Sequence, residues 1–251
     1  MIRVGVSGAA GRMGRAIATA IAASDSLVLH GLYAPGHEGE VLAEVPLSVN
    51  PEAMAGADVI VEVTRPDVVM RNVIGWKELG CHAVVGTSGF DEDRIASLRQ
   101  AWGEAPVNCL VVPNFSIGAV LMMQFAERAA PHFAAAEIIE LHHDRKLDAP
   151  SGTAQATASR LGRAQPEQRR AVDSVEEVPG VRGGAVEGIP VHSVRLPGLL
   201  AHQEVLLGNP GELLTIRHDS MSVESFMPGV MLAIRSVSSL RGVNVGLDAL
   251  I

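Results

Sequence analysis

The sequence predicts an α/β fold in two domains, the first built on a parallel sheet and the second an α+β domain with a mostly antiparallel sheet. In the first half of the chain, short apolar strand patterns alternate with helix patterns, which is typical of a doubly wound parallel sheet. In the second half, three runs of alternating apolar and polar residues follow one another at 191–196, 202–207 and 212–218, joined by turns rich in proline and glycine. Such runs are typical of antiparallel strands.

Composition narrows the class of protein. A chain of 251 residues with 47% apolar content can bury a substantial core. The formal charge of −8 argues against general binding to nucleic acid or to anionic membranes, because both depend on clustered Lys and Arg. Cys81 and Cys109 both lie in apolar surroundings, which excludes a disulfide framework and fits a reducing compartment. Because there is no secretory leader pattern and no apolar run of about 18 residues, we expect a soluble cytoplasmic protein.

The first strand pattern, Ile2–Ser7, is followed at once by the glycine-rich stretch Gly8–Gly14 and then by a helix pattern from Ala16 to Ala23. Glycines in such a turn let the backbone approach a pyrophosphate, whose charge meets the N-terminus of the helix. This context predicts a Rossmann-like dinucleotide site, although glycine at a strand-to-helix turn also serves packing alone. The predicted contacts are Gly8, Ala9, Ala10, Gly11, Arg12 and Met13.

The second strand pattern, Leu27–Tyr33, lacks the acidic residue at its end that would bind the adenosine ribose of NAD. Glu38 follows a few residues later, whereas Arg12 and His37 are candidates to attract the 2′-phosphate of NADP. The sequence therefore leaves the choice between NADH and NADPH open.

The remaining elements follow from apolar periodicity and from proline and glycine positions. Further strand patterns occupy 58–63, 81–85 and 107–112, and helix patterns occupy about 91–102, 117–133 and 225–235. A helix is also expected to begin at 64–67, with Pro66 in its first turn. The segment 165–188 has no clean period and is interpreted as a connection without a fold of its own. His192, His202 and His218 lie within the later strands and are expected to be structural.

The stretch from 140 to 154 holds the densest group of reactive side chains. It follows a strand pattern at 136–141, so His142 and His143 lie at a strand's end, where sites collect in α/β sheets. Adjacent strand residues point to opposite faces, so we expect one imidazole to face a ligand and the other to shape the wall. The two are a poor metal pair, and no metal site is predicted. Imidazole exchanges protons near neutrality, since its unperturbed pKa is roughly 6.5, and Lys146 offers a positive charge or a second proton donor.

A helix pattern opens directly after this group. Pro150 precedes Ser151, which is placed to cap the helix, and Gly152 at its tip exposes backbone N–H groups to an anion. The alternative interpretation is a surface turn with solvated His and Lys side chains.

The motif H-H-x-x-K-x-D-A-P-S-G-T-A at 142–154 resembles the signature of the 4-hydroxy-tetrahydrodipicolinate reductase family, formerly called dihydrodipicolinate reductases. The resemblance implies that His142 is a proton donor or acceptor and that Lys146 is a second donor. It also implies that a cyclic dicarboxylate substrate is held by His143 and by the helix opening at Ser151, Gly152 and Thr153.

Other motifs extend the resemblance over nearly the whole chain. Residues 86–90 resemble the family's G-T-T-G-F loop beside the cofactor, and 113–118 resemble its P-N-F-S-x-G hinge beside the nicotinamide, where an ordinary Pro/Asn turn is the alternative. The segment L-x-G-L-x-A-H-Q-E-V-L-L-G at 196–208 also matches. The implied cofactor contacts are Gly86, Thr87, Ser88, Val112, Pro113, Asn114 and Phe115. Val63 and Val223 depart from the family's usual phenylalanine and arginine.

The resemblance implies an enzyme of diaminopimelate and lysine biosynthesis that reduces its cyclic substrate with NADH or NADPH. It implies a dinucleotide-binding domain at 1–113, completed by 224–251, and a substrate-binding domain at 114–223 that assembles a homotetramer through its sheets. Two alternatives share parts of this plan. An amino-acid semialdehyde dehydrogenase that phosphorylates its product would need an active cysteine, and a dinucleotide sensor would keep the fold without catalysis.

Overall fold

The computed structural model describes residues 1–164 and 175–251. Within these ranges the chain forms two compact units, one of residues 1–117 with 226–251 and the other of residues 118–225. None of the helices in the described ranges combines the length and apolar character that a membrane crossing needs.

The first unit is built on a sheet of eight strands: β1 (Ile2–Ser7), β2 (Leu27–Tyr33), β3 (Val41–Leu42), β4 (Val45–Ser48), β5 (Val59–Glu62), β6 (His82–Val85), β7 (Cys109–Val111) and β13 (Val243–Val245). Their spatial order is β13-β7-β6-β5-β1-β2-β4-β3. Every pairing is parallel except that of β3 with β4, so the predicted parallel sheet is confirmed. The strands β3, β4 and β13 are additions that the sequence patterns did not predict.

Helices cover this sheet: α1 (Arg12–Ala22), α2 (Val69–Glu78), α3 (Glu92–Trp102) and α6 (Met227–Ser236), with 3₁₀ segments at Pro51–Met54, Val237–Ser239 and Asp248–Leu250. The side chain of Asp91 caps α3 by accepting from Arg94 N at 2.8 Å. Ile95, Leu98 and Trp102 are buried in one apolar cluster, as the helical period predicts.

The prediction that a helix begins at 64–67 is wrong. Val68 N and Val69 N both donate to Arg65 O, at 3.2 and 3.1 Å, so the segment first makes a tight turn. The helix α2 begins only after this turn, at Val69.

The C-terminal residues of the first unit are fixed by one side chain. Asn108, which is buried, donates from Nδ2 to Val237 O at 3.1 Å and to Ser238 O at 3.2 Å. Its Oδ1 accepts from Gly242 N at 3.1 Å, and β13 then pairs in parallel with β7. A segment 129 residues distant along the chain thus completes the sheet edge.

The second unit contains α4 (Ile117–Ala129), β8 (Ala135–His142), α5 (Gly152–Ala164), β9 (Gly184–Val186), β10 (Ile189–Arg195), β11 (Ala201–Asn209) and β12 (Glu212–Ser220), with 3₁₀ segments at Ala130–His132 and Val223–Phe226. Two residues at the ends of these elements, Ile117 and Phe226, belong to the other unit. The sheet order is β12-β11-β8-β10-β9. Only β8 and β10 pair in parallel among these strands, so the predicted mostly antiparallel sheet is confirmed.

Two predicted elements of this unit need correction. The segment 165–188 contains β9, which pairs with β10 across a two-residue turn whose residues, Glu187 and Gly188, have φ of 51° and 76°. Positive φ at both positions makes a tight hairpin without any long apolar run; residues 165–174 of that prediction lie outside the described residues. The helix predicted to reach 133 ends at Ala129, and a 3₁₀ turn containing Pro131 follows it.

Candidate active site

The stretch at 140–154 forms a cluster centred on Glu140. Glu140 and His142 are two residues apart on β8, and the parallel register places Arg195 of β10 beside His142. His142 Nδ1 lies 2.5 Å from Glu140 Oε2, and Arg195 donates to both carboxylate oxygens, at 2.9 and 2.8 Å. Ser151 N donates to Oε1 at 3.2 Å.

Glu140 is ionised at neutral pH. It is fully buried, and burial opposes its charge, but the hydrogen bonds from His142 and Arg195 outweigh that effect and lower the pKa of the carboxyl to about 2. The predicted proton donor His142 is therefore held by a buried anion.

Lys146 is tied to the same cluster through Asp148. Its Nζ lies 2.8 and 2.7 Å from the two carboxylate oxygens of Asp148, and its backbone N donates to His143 O at 3.1 Å. The hydrogen bond from Lys146 lowers the pKa of Asp148. Arg195 Nη2 also donates to Asp148 O at 2.7 Å, so one guanidinium links β8, β10 and the loop that carries Lys146.

The helix after this loop begins as predicted. Ser151 Oγ accepts from Ala154 N at 3.2 Å, which confirms Ser151 as the capping residue of α5. A Cβ added at Gly152 would meet nothing within 4 Å, so the tip of the helix faces open space. Thr153 follows in the first turn of α5 and is partly exposed. Backbone N–H groups at such a tip suit a carboxylate.

His143 lies one residue beyond β8 and is partly buried. Its Nδ1 is buried and has no hydrogen-bond partner among the described residues. A buried polar atom left unpaired is costly, and a bound ligand is one way to satisfy it. His143 is thus a suitable substrate contact, as the resemblance implies.

The first unit holds the glycine-rich turn between β1 and α1. Gly8 has φ of +86°, and Gly8 N and Ala9 N both donate to Tyr33 O, at 2.9 and 3.2 Å. Gly11 caps α1 without a side chain, and a Cβ on Gly14 would lie 2.2 Å from Gly8 O. The turn therefore packs directly on the helix.

The other residues of this turn differ in exposure. Ala9 is fully buried, so only its backbone is available to a ligand, whereas Gly11 and Arg12 are exposed, and Ala10 and Met13 are partly exposed. An uncapped helix N-terminus behind exposed glycine suits a pyrophosphate. The residues present thus fit a dinucleotide.

The two other predicted cofactor segments follow neighbouring strands. Gly86 comes directly after β6 and Val112 directly after β7, at the same edge of the parallel sheet as Gly8 after β1. A Cβ on Gly86 would lie 2.3 Å from Phe115 Cε2 and 3.1 Å from Val63 Cγ1, so the three residues are in contact. The segments that begin at Gly86 and at Val112 thus meet beside Val63, one of the two positions at which the sequence departs from the resembled family.

Several predicted contacts in these segments are core side chains. Val112 and Phe115 are buried, and Thr87 is buried with Oγ1 3.4 Å from Glu62 O. They can offer a cofactor mainly their backbone. Ser88 is exposed, Asn114 is partly exposed with Oδ1 accepting from Ser116 N at 2.8 Å, and Pro113 is exposed.

A buried carboxylate lies at the end of β5. Glu62 is fully buried and accepts from Trp76 Nε1 at 2.8 Å and from Thr64 N at 3.1 Å, and the Thr64 hydroxyl donates to it as well. The Trp76 ring also packs edge-on against Tyr33 with centroids 5.6 Å apart. This network joins the ends of β5 and β2 to α2, on either side of β1, the strand that precedes the glycine-rich turn.

Beyond β2, Glu40 forms hydrogen bonds with two basic side chains. Glu40 accepts from Arg15 Nη2 at 2.7 Å and lies 2.7 Å from His37 Nδ1. Both hydrogen bonds lower the pKa of Glu40, and the one with His37 has the larger effect. Arg15 Nε in turn donates to Ala10 O at 3.0 Å, so Glu40 is joined to the glycine-rich turn.

The sequence patterns did not predict the hydrogen bonds by which Glu140, Arg195 and Asp148 join the candidate residues His142 and Lys146. The contact of Glu140 with His142 could have been predicted from the sequence, because residues two apart on a strand share a face. The contact of Arg195 could not, because it depends on the parallel pairing of β10 with β8.

These two units define the class of nicotinamide-dependent oxidoreductases with a Rossmann-like first domain. The chain belongs to the dihydrodipicolinate reductase family: the family's N-terminal model matches residues 2–115 and its C-terminal model matches residues 118–250. The 4-hydroxy-tetrahydrodipicolinate reductase of Thermobifida fusca is 50% identical over 256 residues, with 100% of this chain and 99% of that protein covered.

Solved structures agree with this assignment. A dipicolinate-bound dihydrodipicolinate reductase from Paenisporosarcina sp. TG-14 is 37% identical, with a TM-score of 0.88 and full coverage of both chains. An amine dehydrogenase from Mycobacterium smegmatis, 14% identical with a TM-score of 0.64 over 98% of this chain and 95% of that chain, shares the fold alone.

Proposed function

We propose that this chain reduces 4-hydroxy-tetrahydrodipicolinate to tetrahydrodipicolinate with NADH or NADPH, in diaminopimelate and lysine biosynthesis. The observation that carries the proposal is the cluster of His142, Lys146 and the open tip of α5, held together by the buried Glu140, in a chain of this family. The dipicolinate ligand named for the related solved structure is a cyclic dicarboxylate, and it supports the same substrate class here.

The conversion removes one water and adds one hydride and one proton. When bound, the dinucleotide supplies the hydride. The backbone at Gly8–Met13 would hold its pyrophosphate, because that turn has exposed glycine before an uncapped helix.

The residues of the second unit would bind and protonate the substrate. His143 and the N-terminus of α5 at Ser151–Thr153 would hold the two carboxylates, and Lys146 would neutralise their charge. His142 would deliver the proton to the ring atom that gains electron density. Its Nδ1 is engaged by Glu140, which leaves Nε2 for this transfer.

The rival semialdehyde dehydrogenase chemistry lacks a suitable nucleophile. Burial raises the pKa of both cysteine thiols, that of Cys109 to about 12. Neither thiol forms a thiolate readily at neutral pH. The remaining alternative is a dinucleotide sensor without catalysis, and detection of activity would exclude it.

The experiment is oxidation of NADH and NADPH by the purified protein with and without freshly prepared substrate. We expect substrate-dependent oxidation, and we expect His142→Ala and Lys146→Ala each to lower turnover by about 10²–10⁴-fold. Dinucleotide affinity, measured by the fluorescence of the reduced nicotinamide, should remain unchanged. His192→Ala is the matched control, because His192 also binds a carboxylate of β8, at 2.8 Å from Glu137. Absence of activity in the wild type, or equal loss in the control, contradicts the proposal.

We also propose that the active form is a cytoplasmic homotetramer. The strand β12 is the outer strand of its sheet and leaves Leu213 67% exposed. An unpaired sheet edge offers backbone hydrogen-bonding groups to another chain, and exposed leucine adds apolar surface to that edge. Light scattering after size-exclusion chromatography measures the mass, and Leu213→Lys should lower it. A wild-type monomer contradicts this proposal.

A further inference from the structure

The carboxylate of Glu140 acts on only one ring atom of His142. It accepts hydrogen bonds from Arg195, from Ser151 N and from His142 Nδ1, and it has no exposed surface. An ionised carboxylate can only accept hydrogen bonds. Nδ1 of His142 must therefore carry a proton, in the neutral ring as well as in the imidazolium.

This constraint decides which ring atom exchanges protons. When Nδ1 is always protonated, Nε2 alone gains and loses the second proton. A carboxylate bound to one ring nitrogen also fixes the orientation of the imidazole. Glu140 thus presents Nε2 as the atom that exchanges the proton.

Arg195 keeps this arrangement intact after the proton has left. Its two bonds to Glu140 pair the buried carboxylate with a permanent cation, so the carboxylate stays paired when His142 becomes neutral. Lys146 and Asp148, on the loop after β8, pair with each other, and the residue of β11 opposite His142 is the uncharged Ala201.

A second carboxylate of β8 also contacts a histidine and an arginine. Glu137 lies 2.8 Å from His192 Nε2 and pairs with Arg182, but its side chain is 29% exposed and it lies away from the stretch at 142–154. It provides a control with matched chemistry.

We propose that Glu140, held by Arg195, is a positioning residue that fixes the Nδ1–H tautomer of His142 and directs proton transfer through Nε2. The inference rests on the proposed role of His142 as proton donor. It assigns to Glu140 and Arg195 a part in the reaction in addition to their structural ion pair.

The first test is made on the wild-type protein. Its ¹⁵N-histidine NMR spectrum, with His142 assigned by comparison with His142→Ala, should show Nδ1 protonated above and below the titration of the ring and only Nε2 changing state. A neutral ring protonated at Nε2 overturns the proposal without any change to Glu140.

The second test compares Glu140→Gln, Glu140→Asp and the control Glu137→Gln. Glu140→Gln should lower kcat by about 10–10²-fold with little change in KM or dinucleotide affinity. In the ¹⁵N-histidine spectrum of Glu140→Gln, the neutral His142 ring should no longer be protonated at Nδ1 alone, because an amide can donate as well as accept a hydrogen bond. Glu140→Asp keeps a carboxylate and should restore part of the rate and of the Nδ1–H tautomer, and Glu137→Gln should change neither.

The outcomes separate this inference from the proposed function. An unchanged rate and an unchanged His142 tautomer in Glu140→Gln, or an equal change in Glu137→Gln, overturn the positioning role, while activity of the wild type still supports the reductase. Full activity of His142→Ala overturns the proposed proton donor itself. If Glu140→Gln does not fold, the wild-type spectrum and Glu140→Asp decide the question.

Discussion

Replacing Gly14 by alanine tests whether the glycine-rich turn must pack directly on α1. The added Cβ would lie 2.2 Å from Gly8 O, 2.7 Å from Ala9 Cα and 2.8 Å from Gly8 C, whereas ordinary contact begins at 3.4 Å. All three atoms belong to the backbone, so no side chain can rotate away. The turn or the helix must move by about 1.2 Å, the difference between 3.4 and 2.2 Å.

The size of the effect follows from two opposing contributions. Overpacking costs about 1–3 kcal/mol, and contact with backbone alone favours the upper end of that range. Alanine is a better helix residue than glycine by at most about 1 kcal/mol. We therefore expect the free energy of unfolding to fall by about 2 kcal/mol, and Tm by roughly 4–8 °C.

The matched control is Gly11→Leu. Gly11 is exposed and has extended backbone, with φ of −72° and ψ of 165°, and its Cβ would approach Gly8 O only to 3.3 Å. We expect nearly wild-type melting but weak dinucleotide binding, since the side chain would block the approach of the pyrophosphate. Calorimetry and titration with NADH measure the two properties. Wild-type melting of Gly14→Ala, or wild-type affinity of Gly11→Leu, would refute the reasoning.

Three further predictions concern buried and paired carboxylates. Trp76→Phe removes a hydrogen bond to the fully buried Glu62 and should lower the free energy of unfolding in urea by about 2 kcal/mol, against about 1 kcal/mol for Trp102→Phe, whose indole binds a neutral carbonyl. The pKa of Glu140 is lowered from 4.5 to about 2, so its stabilisation is complete above pH 4.5 and is lost as pH falls towards 2. This loss should amount to about 3 kcal/mol in acid-dependent urea unfolding, and no loss over this range would contradict the pairing of Glu140. The values of kcat/KM with NADH and with NADPH should agree within roughly tenfold. Glu40→Gln should shift the ratio of these values towards NADPH, because it removes a carboxylate beside the glycine-rich turn. A hundredfold preference of the wild type for either cofactor would contradict the expected dual use.

The elements that the sequence predicts best have a strong local pattern. The apolar runs of β1 and β2 give their bounds correctly, and Asp91 marks the start of α3. The strands β3 and β13 have two and three residues, too few for a period of two to be recognised. Their pairing partners, rather than their own residues, define them as strands.

The same distinction separates the parts of the site. His142 and Lys146 could be singled out because reactive residues cluster within a short stretch, and Ser151 could be placed because helix capping is a local property. Arg195 is 55 residues from Glu140, and its role depends on which strand lies beside β8. That choice is made by the whole sheet, so no motif in the sequence reports it.

The pairing of β13 with β7 has a consequence for biosynthesis on the ribosome. Residues 118–225 are synthesised before the segment that Asn108 holds, so β7 remains an open sheet edge while they emerge. With 129 residues between Asn108 and Val237, and synthesis at about 5–20 residues per second, this interval lasts on the order of ten seconds. Unpaired edges recruit strands from other chains. The nascent protein therefore passes through a stage in which its inserted unit can mature while its first unit stays incomplete and prone to association.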